Sequence, residues 1–313
     1  YLGSVTGRNL GTIDNVTNYA TIKSKSGNDI GGIAGYNEGL ISNAINYGIV
    51  ILEGSYAGGI AGQSEGTIKA SYNYANITGL TATGGIVGKN YGIVEYVYNK
   101  SIISGETLTG GIVGDNAGII RYAFNMNTVT ATISAAGGIA GAQTLDTAET
   151  YIVYNTGKIL ANTELAGGII GSLEKGKLYD AYNGGNISAS DYAGAIAGQN
   201  ISGTVSKVYY DKNNLENYVP TIGLRATKAI GNMNDTINIK GLWHGQMIGS
   251  SSIGTNAHQM IFDNTNAFIG TPSYDKYSFY PQLKFFANST IDKVVLDSYE
   301  SVKGLTFNRF IRI

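Results

Sequence analysis

Side chains able to do chemistry are few and scattered in this chain. It holds two histidines, His244 and His258, with no acidic residue between them. A zinc-peptidase motif needs two histidines one helical turn apart and a glutamate beside the first. Neither histidine is therefore expected to ligate a metal, and His244 reads as a neighbour of Trp243 making a surface hydrogen bond. There is no cysteine, which removes disulfides and thiolate metal sites. Carboxylates that work on glycosidic bonds must face each other across the scissile bond. Here Asp14, Asp29, Glu38, Glu65, Glu95 and Asp115 occupy different points of the sequence pattern. Glu38 and Glu65 do align, each just before a glycine, and read as a solvated corner. The run "DKNNLE", Asp211 to Glu216, has oxygens for one calcium but reads as a plain turn. No G-x-S-x-G elbow or phosphate-binding loop followed by a helix appears. No catalytic residue, metal site or cofactor is expected.

The tyrosines are more promising, because they recur. Tyr72, Tyr98, Tyr154, Tyr182 and Tyr210, with Phe124, each precede an Asn or Asp. Tyr19, Tyr47 and Tyr74 each follow an Asn. Exposed, such columns could stack on sugar rings or present a protein-binding face. Buried, they fill space, and that structural role is the leading expectation. Tyr72, Tyr98, Tyr154 and Tyr182 stand as the ligand-binding candidates.

What must position these rings is a repeat. A five-residue block recurs at Gly3–Gly7, Gly31–Gly35, Gly58–Gly62, Gly84–Gly88, Gly110–Gly114, Gly137–Gly141, Gly167–Gly171 and Gly194–Gly198. That is eight copies at steps of 26 to 30 residues. A second glycine with a following aliphatic comes next, as in Gly39-Leu40-Ile41, though the sixth copy carries "AQTLDTAET" instead. An Asn closes the pattern at Asn18, Asn46, Asn73, Asn99, Asn125, Asn155 and Asn183, and Asp211 takes that place in the eighth copy. Short Ile/Val/Tyr/Thr-rich runs bounded by Gly or Asn favour strands. Three such runs per copy give an all-β solenoid, a three-sided β-helix of about eight coils whose equivalent positions stack ~4.8 Å apart. The corner glycines Gly35, Gly62, Gly88, Gly114, Gly141, Gly171 and Gly198 are expected to take positive φ, and paired glycines to admit close backbone approach. The asparagines are expected to form one hydrogen-bonded ladder.

With these residues in view, Gly32-Ile33-Ala34-Gly35 and its copies, followed by "YNEGLI" and "NYG", resemble the GLUG repeat over residues 1–211, with Ile in place of the family's Leu. The tail, from "YYDKNN" to "YPQLKFF", resembles segments that close such arrays in Gram-positive surface proteins. The resemblance implies a bacterial cell-surface or secreted protein, either adhesin-like or the non-catalytic repeat region of an immunoglobulin A-specific metallopeptidase. It implies no enzymatic activity for the repeat itself. Its implied partners are flanking domains of the same polypeptide and a host glycan or extracellular protein.

Composition sets the outer bounds. Apolar residues make up 43% of the 313 residues, enough for a core despite 45 glycines. Net charge is −1 with no basic run, which argues against nucleic acid. No apolar run approaches the ~20 residues of a membrane helix. All three prolines, both histidines and the lone tryptophan lie beyond the repeat. Residues 212–290 read as a C-terminal cap on coil eight, anchored by Trp243, Phe262, Phe268, Tyr280 and Phe285. Residues 291–313 read as the start of a following module, and the chain as a piece of something longer.

Overall fold

The computed structural model describes residues 1–221, 223–233, 238–248, 252–256, 259–264, 266–269 and 280–287. His258 and the 291–313 segment lie outside the described residues. The chain winds into a β-solenoid of about nine turns. One coil shows the plan: strands Val87–Asn90, Ile93–Asn99, Ile103–Gly105 and Thr107–Gly110 follow one another around the axis. Their equivalents stack in parallel into a 15-stranded, a 10-stranded and an 8-stranded sheet. The 15-stranded sheet takes two strands from each of the six inner coils and one each from the first and last, and Tyr192–Asn200 runs unbroken through both positions.

The repeat register is the pairing register. Asn18 pairs with Asn46, Asn46 with Asn73, Asn73 with Asn99, Asn99 with Asn125, Asn125 with Asn155 and Asn155 with Asn183. The expected column stops there. Asn183 pairs with Tyr210, not Asp211, and Tyr209, not Tyr210, continues the aromatic column after Tyr182.

The third residues of the five-residue blocks, from Ile33 to Ile196, are wholly buried along the axis. A second apolar stack runs Val50, Ile77, Ile103, Val129, Ile159 and Ile187. No coil could bury these side chains alone, so each turn completes its neighbour's core.

The corners are not made as the glycines suggested. Among the described residues, only Gly27, Gly176 and Gly223 have positive φ among the glycines. Gly35, Gly62, Gly88, Gly114, Gly141, Gly171 and Gly198 do not. Left-handed backbone falls instead on Asn15, Asn43, Ala70, Tyr96, Tyr122, Ile152, Asp180 and Lys207, with φ from 48° to 55°. These residues fill one column, at the bend in the middle of each long strand. Such a conformation costs about 1–2 kcal/mol for a side-chain-bearing residue and persists where the surroundings over-determine it. The pairing on either side of the bend supplies that constraint. The block glycines answer crowding. A Cβ on Gly111 would stand 2.1 Å from the Gly138 carbonyl oxygen and 2.5 Å from the Asn125 side chain. One on Gly114 would meet the Ala82 carbonyl carbon at 2.4 Å.

The solenoid also does not end at residue 211. Lys228–Ile230 and Ile239–Leu242 add parallel pairings to the last repeat strands, and Leu224–Arg225 adds an antiparallel one. Beyond this turn the described residues lie back along one side of the solenoid. Phe262 and Phe268 lie near the eighth and seventh coils, Tyr280 near the seventh, and Phe286 against the third to fifth. Phe262, Phe268 and Tyr280 are buried anchors as expected, but Trp243 and Phe285 are exposed and Phe286 is the buried ring.

Candidate functional site

Strand Ile93–Asn99 and its equivalents point successive side chains to opposite faces. Past the bend, Val97 enters the axial core, Tyr98 faces outward and Asn99 faces inward. The outward column of Tyr72, Tyr98, Phe124, Tyr154 and Tyr182 stacks ring on ring at 4.3, 5.0, 4.8 and 5.0 Å. The returning segment covers it. Phe286 packs edge-on against Tyr72, Tyr98 and Phe124 at 6.3, 5.6 and 5.1 Å. Tyr154 donates to Gln282 Oε1 at 3.1 Å, and Tyr182 donates to the Pro281 carbonyl. Tyr209 donates to the Ile261 carbonyl and accepts from its amide, both at 2.9 Å. Burial pushes the Tyr72 phenol up to about 12 and drives Tyr154 and Tyr182 well above their ordinary value. The four ligand-binding candidates are thus interior residues, closed to a ligand, and the ring ladder is a core between two parts of the chain.

Of the tyrosines that follow an Asn, Tyr19 and Tyr47 are exposed, with Tyr74 beside them, stacked at 5.3 and 5.0 Å. Lys100 continues the column, its ammonium 5.8 Å from the Tyr74 ring centre. Each inner ring face is used by its neighbour, so the column offers solvent its edges and hydroxyls rather than a flat platform for a sugar.

The asparagine ladder is internal. Each Nδ2 donates to the Oδ1 of the next coil at 2.8–2.9 Å, from Asn18 through Asn183. Each ladder amide also donates to the carbonyl two residues on, as Asn99 does to Ser101 at 2.7 Å. A second ladder went unread in the sequence. Asn9 donates to Asn37 and Asn37 to Ser64, then Asn90 to Asn116 and Asn116 to Gln143. Its signal was present as Asn-x-Gly in "NLG", "NEG", "NYG" and "NAG" at the second glycine of the first, second, fourth and fifth copies.

The carboxylates do not form an acid–base pair. Glu38 binds Arg8 at 2.6 Å, and Glu65 hydrogen-bonds Tyr36, whose phenol is raised chiefly by burial. Glu95 meets Arg121 at 2.6 Å, and Arg121 reaches the Tyr151 hydroxyl at 3.0 Å. Asp115 meets Lys89 at 3.0 Å. No group of three potential metal ligands occurs among the described residues.

One constellation escaped the sequence reading. Asp211 is buried and takes Tyr280 Oη at 2.6 Å on Oδ2, which also touches His244 Nδ1. Its Oδ1 accepts the Asn214 amide at 3.2 Å and caps the helix Lys212–Asn217. The "DKNNLE" run is therefore a capped helix with its carboxylate committed, not a turn or a calcium loop. His244 is mostly buried, with its Nδ1 against Asp211. The three side chains pin the ninth turn, the helix and the returning segment together. Asp211 stood out in sequence as the residue replacing Asn at the last repeat and as the start of "DKNNLE", neither of which pointed to His244 or Tyr280.

No helix among the described residues is long and apolar enough to cross a membrane. Comparison with protein-family models, curated proteins and solved structures gives no match.

Proposed function

We propose that this chain is a non-catalytic display segment of a bacterial cell-surface or secreted protein, a stiff rod that holds neighbouring modules apart. The observation that carries the reading is the unbroken hydrogen-bonded column from Asn18 to Asn183, which ties seven successive coils into one body. The GLUG-like repeat pattern supports a place outside the cell. The test is antibody labelling of intact cells that make the protein, with lysed cells as control. Labelling before lysis is the expected result. Signal only after lysis, or hydrolase or lyase activity in the purified protein, would end this reading.

A second reading, an adhesin, draws on the exposed Tyr19–Tyr47–Tyr74 column rather than the buried one. A protein-array hit that vanishes in Tyr19→Ala/Tyr47→Ala would favour it over pure display.

A further inference from the structure

The helix Lys212–Asn217, the strand Leu224–Arg225 and the residue after Ile239–Leu242 enclose a cleft of about 220 Å³ at the C-terminal end of the rod. It lies away from the covered aromatic column, and apart from Tyr210 its lining comes from beyond the repeats. Its floor is apolar, made by buried Leu215 and Ala226. Its wall is Trp243, an indole 49% exposed although tryptophan usually buries most of its area. Its rim carries Tyr210, Lys212, Arg225 and Glu216.

The charges at this rim are unbalanced. Two cations face one carboxylate, and neither Lys212 nor Arg225 has a carboxylate partner among the described residues. Some cations elsewhere are paired with acids at 2.6 to 3.1 Å, as in Arg8–Glu38, Lys89–Asp115, Arg121–Glu95 and Lys175–Asp146, while others, Lys23, Lys69 and Lys228 among them, have no carboxylate partner among the described residues. Lys212 instead sits 5.3 Å from the Trp243 ring centre, and Arg225 donates to the Glu216 carbonyl. That bond holds the guanidinium in place at the rim and leaves further N–H groups to donate.

We propose that this cleft binds the ring of a carboxylate-bearing sugar, of the hexuronic acid class. Its volume falls below the ~300 Å³ at which drug-sized pockets begin, which limits it to about one ring. The indole offers an apolar surface for the C–H face of a pyranose. The guanidinium offers the planar fork that takes a carboxylate. The Tyr210 phenol and the Glu216 carboxylate remain for the sugar hydroxyls. The proposal is independent of the display reading, since a rod can present modules with this cleft empty.

Trp243 is the only tryptophan in the chain, so indole fluorescence reports on this cleft alone. The full chain would be titrated with glucuronic acid, a trimeric uronide, glucose, acetate and benzoate. Expected is a saturable change with glucuronic acid, at least fivefold weaker for glucose, acetate and benzoate. It should be lost in Arg225→Gln and weakened in Thr227→Val, whose uncharged side chain also lines the cleft. Far-ultraviolet circular dichroism confirms that each variant is folded, and saturation-transfer NMR on the sugar provides a readout independent of the indole. A trimer binding more tightly than the monomer points to a polysaccharide as the source; equal affinities point to the free acid. No saturable response, an equal response to acetate or benzoate, or a response that survives in folded Arg225→Gln would overturn the proposal.

Discussion

Each asparagine of the column puts one side chain to two uses. The amide can donate and accept along the axis while closing a turn two residues on. Asn99 receives from Asn73 and gives to Asn125 and Ser101. Asn99→Ala removes these bonds and leaves buried partners unmet, so it should lower stability by about 2–4 kcal/mol in urea unfolding. The left-handed column was not legible, because Asn15, Tyr96, Ile152 and Lys207 share no side-chain chemistry; only backbone geometry unites them. Asp29 shows the consequence at a second left-handed position. It is buried, its Oδ1 has no hydrogen-bond partner, and desolvation raises its carboxyl. A carboxyl raised on folding favours the protonated native state. Its penalty therefore grows as pH rises through the ordinary carboxyl range and is complete above the raised value. Asp29→Asn keeps the left-handed tolerance and should raise the melting temperature at pH 7, with the gain vanishing at pH 3. Equal gains at both pH values would show that the charge is not the cause.

At the element scale, the strands of residues 1–211 followed from the repeat, whereas the returning segment did not. Its contacts join residues 99 and 128 apart in sequence, Tyr182 to Pro281 and Tyr154 to Gln282, and no periodicity announces such pairings. The choice between Phe285 and Phe286 depended on which ring meets the ladder. Phe286 does, between Tyr98 and Phe124, while Phe285 lies on Tyr96 at 4.3 Å and stays exposed. Truncating a buried phenylalanine costs about 3–5 kcal/mol. Phe286→Ala should therefore speed amide exchange at Leu283 and Lys284 by about a hundredfold or more, at 1.4 kcal/mol per tenfold. The Asn99 and Asn125 amides should change much less. Equal loss of protection in both regions would mean that segment and rod unfold as one.

At the scale of the whole molecule, the register makes the coil count a ruler. Lys23, Ile51, Thr78, Ser104, Thr130 and Leu160 pair in succession. Five steps of ~4.8 Å put Lys23 and Leu160 ~24 Å apart. The chain has no native cysteine, so Lys23→Cys and Leu160→Cys accept spin labels cleanly. One narrow electron-electron distance peak near that separation is the expected result. A broad or split distribution would mean that the coils hinge.

The two asparagine ladders have a further property: they point the same way. In every rung the N–H lies toward the C-terminal coil and the oxygen toward the N-terminal one. Peptide-like amides carry about 3.5 D each, and aligned amides sum rather than cancel. The rod is therefore electrically directional. Its donor end lies under Tyr210, the residue paired with Asn183 where the ladder stops. The two ends of the ladder therefore differ in kind: Asn183 spends its N–H on the Gly185 carbonyl at one, and Asn18 turns its oxygen to the Ala20 amide at the other.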